Sequence, residues 1–150
     1  METESPVAEQ RVVKRLLTRK QVAKIPLSEE EHQKLIVPPR ASLKNLKEGT
    51  QCADDWYIVT FRIRVGLMAA KREYSDEVCE VLEEADRVTR EMHAAYQIND
   101  KYNWSCSVGQ IQVLEQGLDL VDEIQRMSSR ETLMFVTRKV YSEMRKFAED

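Results

Sequence analysis

The chain has 150 residues, 42% of them apolar and 33% charged, with a net charge of -3 and only four glycines and four prolines. So few turn-formers argue against a turn-rich all-β fold, and the charge level suits amphipathic helices. One domain with an arm fits the length, and no apolar run approaches the roughly 20 residues that a membrane-spanning helix needs.

Charge is unevenly placed. Residues 1–51 carry 10 Lys/Arg against 7 Asp/Glu, whereas residues 52–150 carry 13 against 19. A basic front on an acidic body is the pattern of an arm that touches something acidic, the body itself included. The expected organisation is a disordered start and basic arm over residues 1–24, then a helical bundle over 25–150. The opening METESPVAEQ is polar and acidic, unlike a secretory leader. Cys52, Cys79 and Cys106 are odd in number and too far apart for a CxxC site. Free thiols in a reducing compartment follow, and with them a soluble, cytoplasmic protein.

In chain order, RVVKRLLTRKQVAK at 11–24 has six basic residues and no acidic one, and Val12, Val13, Leu16, Leu17 and Ala23 can share a helical face. Pro26 stops this basic helix. Ser28 and Glu31 form a capping box, but VPPR at 37–40 predicts a short helix, because proline removes an N–H and crowds the preceding turn. SLKNLKEG at 42–49 reads as another brief helix closed by Gly49. Asp54 is the expected cap of a helix over 55–73, and Ser75 that of a helix over 76–98. In the latter, Val78, Leu82, Ala85, Val88, Met92 and Ala95 step by three and four. NDKYNWS at 99–105 is a loop. Ser107 and Gln110 open a helix carrying Ile111, Leu114, Leu118, Val121 and Ile124. SSRE at 128–131 reads as a third capping box, Ser128 with Glu131, before a last helix carrying Leu133, Val136, Val140, Met144 and Phe147.

IVTFRIRVG at 58–66 alternates like a strand. No second segment offers it a partner, and an isolated hairpin is marginal in water. Context therefore predicts helix. Arg62 then falls among apolar residues and needs a carboxylate. Glu83, Glu84, Asp119, Asp122 and Glu123 can supply one, or else Arg62 or Arg64 meets another chain.

Catalytic patterns are missing. His32 and His93 are too few for a histidine-rich metal site, no HExxH, GxGxxG or P-loop occurs, and Glu-x-x-His stands once, at Glu29–His32, where a di-iron bundle needs it on two helices. A cysteine beside His93 would be needed for thiol chemistry, and nothing in the spacing brings one there. Neither a cofactor nor an enzymatic activity is expected. Three binding signals stand instead. The basic helix, through Arg11, Lys14, Arg15, Arg19 and Lys20, can meet nucleic acid by counterion release, or lie on the acidic body. Tyr96, Tyr102 and Trp104 gather at one bundle end, either to anchor a partner or to plug the bundle. Val81, Tyr96, Val113 and Leu120 exceed a single apolar stripe, which predicts a homodimer.

The segments VPPRASLKNLKEGTQCADDWYIVTFRIRVGL, NDKYNW and LDLVDEIQRMSSRETL together resemble a loose group of small helical proteins of proteobacteria and their phages and plasmids, over roughly residues 36–136. That resemblance implies a mobile-element or regulatory setting and lends no catalytic residues. The expectation is thus an all-α bundle of about four longer helices preceded by short N-terminal ones. It would act as a non-enzymatic regulator or inhibitor that binds another protein through Arg62, Arg64, Tyr96, Tyr102 and Trp104. A nucleic-acid-associated regulator is the alternative.

Overall fold

The computed structural model describes residues 25–98 and 105–149. They form five helices: α1 (Glu29–Glu48), α2 (Ala53–Glu73), α3 (Asp76–Ile98), α4 (Val108–Met127) and α5 (Arg130–Glu149). The fold is an all-α bundle.

The capping box at the start of α1 is present: Glu31 N–H donates to Ser28 Oγ at 3.2 Å, and Ser28 N–H donates to Glu31 Oε1 at 3.2 Å. The break expected at 37–40 is absent, and the two short helices are one, running through Pro38 and Pro39 to a left-handed Gly49 (φ 75°). The prolines deprive the carbonyls of Lys34 and Leu35, four residues back, of their helical donors. Both residues sit on the exposed face, where water can replace those donors. Burial of Pro39, Leu43 and Leu46 holds the helix together across the missing bonds. The basic helix expected at 11–24 lies outside the described residues.

α2 is the centre of the bundle and touches all four other helices. Val59, Thr60, Ile63 and Ala70 are fully buried, and the turns between them are covered as well. A helix buried all round shows no clean stripe, which explains why 58–66 imitates a strand. Its cap is Cys52 rather than Asp54. The carboxylate that accepts the free Cys52 N–H is the buried Asp55, at 2.8 Å, while Asp54 points to solvent. At two glycines the side chains of neighbouring helices leave no room for a Cβ. A Cβ on Gly66 would lie 2.3 Å from Val121 Cγ2, and one on Gly117 would lie 2.9 Å from both Ala85 Cβ and Ile63 Cδ1.

α3, α4 and α5 bury the expected residues, among them Leu82, Val88, Met92, Leu114, Leu118, Val136, Val140 and Met144. Ser107 and Gln110 cap α4 reciprocally. At the α4–α5 corner the capping residue is Ser129, whose Oγ accepts from Thr132 N–H at 3.1 Å. Ser128 instead turns its hydroxyl back onto Ile124 O at 2.6 Å and closes α4. The box moves by one residue because the Ser128 hydroxyl has a nearer acceptor in the last turn of α4.

The start of α1 is stapled to this corner. Arg126 grips Glu29 with two hydrogen bonds of 2.8 and 3.0 Å, and Arg130 grips Glu31 at 2.6 and 2.8 Å. Between them the buried Gln125 amide donates to His32 Nδ1 at 2.7 Å, which requires a neutral imidazole. Burial, aided by the charge of Arg126, lowers the His32 pKa from its ordinary 6.5. A proton therefore binds His32 more readily in the unfolded chain. Stability is complete above pH 6.5 and falls as pH drops below that value. Glu29, held down to about 2 by its hydrogen bond with Arg126, adds a second loss below its ordinary 4.5. Urea midpoints measured from pH 7.5 to 3 are expected to show both declines, and His32→Asn is expected to flatten the first.

Candidate docking groove

α5 leans on α2 and only weakly on the remaining helices. At its N-terminal end Arg130 ties it to α1, and beyond that bridge α1 and α5 stand apart. The gap is a groove of about 320 Å³. Leu35 and Pro38 of α1 form one wall, Leu133 and Tyr141 of α5 the other, and Ile58 and Phe61 of α2 the floor. Tyr57 stacks on Phe61 with ring centroids 6.2 Å apart. No carboxylate, histidine or cysteine is among the lining residues; the charged groups there are Lys34 and Arg62. Leu35 is 44% and Tyr141 55% exposed, large values for side chains of this size on facing walls of one slot. Such a surface can take apolar side chains out of water, and the two tyrosines can hydrogen-bond at its edge.

Arg62 lies beneath the groove and is only 6% exposed. Its Nη2 donates to Asp122 Oδ1 at 2.9 Å, and Asp122 also accepts from Arg40 Nη2 at 2.9 Å. Of the two readings of this arginine, an intramolecular carboxylate pair is the one present. One shared carboxylate does not fully offset burial, so the Arg62 pKa is lowered, and its Nε is buried without a hydrogen-bond partner. Arg64 points to the other side of α2, where its Nε donates to Asp86 at 2.9 Å. The two arginines named together in the sequence therefore belong to different faces. The cleft beside Arg64 mixes the apolar Leu67, Met68 and Val140 with charged groups, among them Arg90 and Lys71 paired to Asp86 and Glu83.

Tyr96 is half-buried and packed against the core. Tyr102 and Trp104, like Arg11, Lys14, Arg15, Arg19 and Lys20, lie outside the described residues. Of the groove residues, Arg62 is among the candidates read from the sequence; Leu35 and Tyr141 escaped because they fall off the apolar stripes and the proline pair reads as a helix end. The one local sign was Tyr57 with Phe61, an aromatic pair at four-residue spacing.

The groups closest to chemistry are otherwise occupied. The His93 ring stacks on Trp56 at 4.7 Å, and Trp56 Nε1 donates to Thr89 O at 2.8 Å. Burial pushes the Cys106 thiol up to about 11, away from the reactive thiolate. None of the three cysteines is paired. Among the described residues no helix is long and apolar enough to cross a membrane. In comparisons with known proteins, no protein-family profile, no curated protein and no solved structure matches this chain.

Proposed function

We propose that this protein is a non-enzymatic regulator or inhibitor that works by binding another protein, with the groove between α1, α2 and α5 as its docking surface. The observation that carries the reading is the exposure of Leu35 and Tyr141 on facing walls above the aromatic floor of Tyr57 and Phe61. Apolar slots between helices are suited to the apolar face of a partner helix. The act of binding is the function: occupying a surface on the partner, or joining it to a second protein. Assembly as a homodimer and a mobile-element setting remain part of this proposal.

The test is affinity capture from the native host with wild-type protein and with a Leu35→Glu/Tyr141→Glu variant. Both positions are exposed, so the variant is expected to keep its circular dichroism and thermal midpoint. It should lose the captured protein at least tenfold. Equal capture by both proteins would remove the groove from the reading. A second reading, a nucleic-acid-associated regulator acting through Arg11, Lys14, Arg15, Arg19 and Lys20, draws on the six basic and no acidic residues of 11–24. DNA affinity that does not fall steeply between low and moderate salt would exclude it.

A further inference from the structure

The side chains along the groove restrict the kind of segment that fits it. Leu133, Thr137 and Tyr141 lie at four-residue steps along the α5 wall, and Ile58, Phe61 and Val65 step by three and four along the α2 floor. From Leu133 to Tyr141 the wall rises about 12 Å, or roughly two helical turns. Three helices present no strand edge for an extended segment to pair with. A helix that enters is held instead by apolar side chains at i, i+3 or i+4, and i+7.

The charges beside that apolar track are of one sign. Lys34 and Arg62, the charged lining residues, are both cationic. Arg138 adds an exposed cation on the rim, one turn from Tyr141 on the same helix. The hydroxyls of Tyr57, Thr137 and Tyr141 make no hydrogen bond among the described residues, so all three can donate to an acceptor that arrives. The carboxylates nearby are engaged or lie past the ends. Arg130 holds Glu31, while Arg62 and Arg40 share Asp122. Glu30 reaches Lys34 at 3.5 Å, but that pair is exposed on both sides and readily exchanged. Glu131 stands two residues before Leu133, and Asp54 one turn before Ile58. Beneath the floor, the Arg62 charge has only a share of one carboxylate, and its Nε has no hydrogen-bond partner. An arriving carboxylate is therefore attracted by Lys34 and Arg62, and an arriving ammonium is repelled by both.

We propose that the partner segment in this groove is an acidic amphipathic helix. Its apolar side chains enter between Leu35 and Tyr141 onto Phe61, and its flanking aspartates or glutamates meet Lys34 on the α1 side and Arg138 on the α5 side. The proposal rests on the docking reading above and adds the charge of the partner. A basic helix with the same apolar face is turned away by the same groups.

Three synthetic peptides of about 18 residues, long enough to populate a helix, test this. They share leucines at i, i+3 and i+7 and differ only in carrying glutamate, glutamine or lysine at the flanking positions. Each is titrated into the isotope-labelled full-length protein and followed by nuclear magnetic resonance. The glutamate peptide is expected to move the signals of Ile58, Phe61, Leu133 and Tyr141 and to bind about tenfold more tightly than the lysine peptide, with glutamine between them. At about 0.5 M salt, which screens exposed charges beyond a few ångströms, the preference should shrink to within about twofold. In a Lys34→Glu/Arg138→Glu variant the order should reverse. The glutamine peptide should bind that variant as it binds wild type, and the thermal midpoint should not change, because both positions are exposed. Equal affinities in the wild type, or tighter binding of the lysine peptide, overturn the acidic partner and leave the docking reading intact. Peptides that leave the groove signals unmoved overturn it as well, and the Leu35→Glu/Tyr141→Glu capture then decides whether the docking reading survives. Groove signals that follow protein concentration before any peptide is added signify a second copy as the occupant. Movement with decanoate but with no peptide signifies a small amphiphile, and either result sinks the proposal.

Discussion

Replacing Asp122 by alanine is expected to cost about 3–5 kcal/mol, the range found when one partner of a buried ion pair is removed. The effect comes from what stays behind. Arg62, on the buried face of α2, has Asp122 as its carboxylate partner at 2.9 Å, and burial already lowers its pKa. Arg40 suffers less, because it is partly exposed and keeps Asp119. The converse change, Arg62→Met, is expected to fall within about 1.5 kcal/mol of wild type, since a flexible apolar chain of similar length replaces a charge that is costly to bury, and Asp122 keeps Arg40. Urea unfolding of the two single variants and of Arg62→Met/Asp122→Ala checks the argument as a cycle. The double variant should be more stable than Asp122→Ala alone. Strict additivity would mean that Arg62 and Asp122 do not depend on each other.

Gly66→Ala is expected to lower stability by about 2 kcal/mol, although alanine is the better helix former by roughly 1 kcal/mol. The added methyl would meet Val121 Cγ2 at 2.3 Å, and Cβ and Cγ1 both at 3.1 Å. Rotating a β-branched side chain only exchanges one methyl for another. Relief therefore requires α2 and α4 to move apart along a packed interface. At this chain length the loss corresponds to a fall of roughly 4–8 °C in the thermal midpoint. Val121→Ala should recover much of it in the double variant, because the cavity it opens is where the new methyl goes. An unchanged midpoint for Gly66→Ala would show that α2 and α4 do not approach as closely as described.

These two sites also mark the limit of what could be read in advance. The outer helices were legible because each buries one face. Steps of three and four residues place Leu82, Val88, Leu114, Leu118, Val136 and Val140 correctly, and Ser28 and Ser107 cap where their Glu and Gln partners predict. α2 was harder, since a segment covered on every side has no polar face to set its period. The need of Arg62 for a carboxylate could be stated from sequence, but the choice of Asp122 among five candidates depends on how α4 crosses α2. The proline pair misled for a related reason. The penalty on Pro38 and Pro39 is local, whereas the burial of Leu43 and Leu46 that overrides it is not. Of the groove, Arg62 was named in advance but the slot itself was not legible. It is a property of the space between α1 and α5, and no local pattern encodes a gap.

The seating of α5 has a consequence for motion. A helix fastened mainly to one neighbour is the first to detach in sub-global opening, so its amide protons should exchange with deuterium ahead of those in α4, which packs on α1, α2 and α3. Swinging away from Arg130 as a pivot, α5 would carry Leu133 and Tyr141 with it. Widening the cleft in this way would uncover the buried Val136, Val140 and Met144 of α5, so the opening would carry the cost of exposing that part of the core.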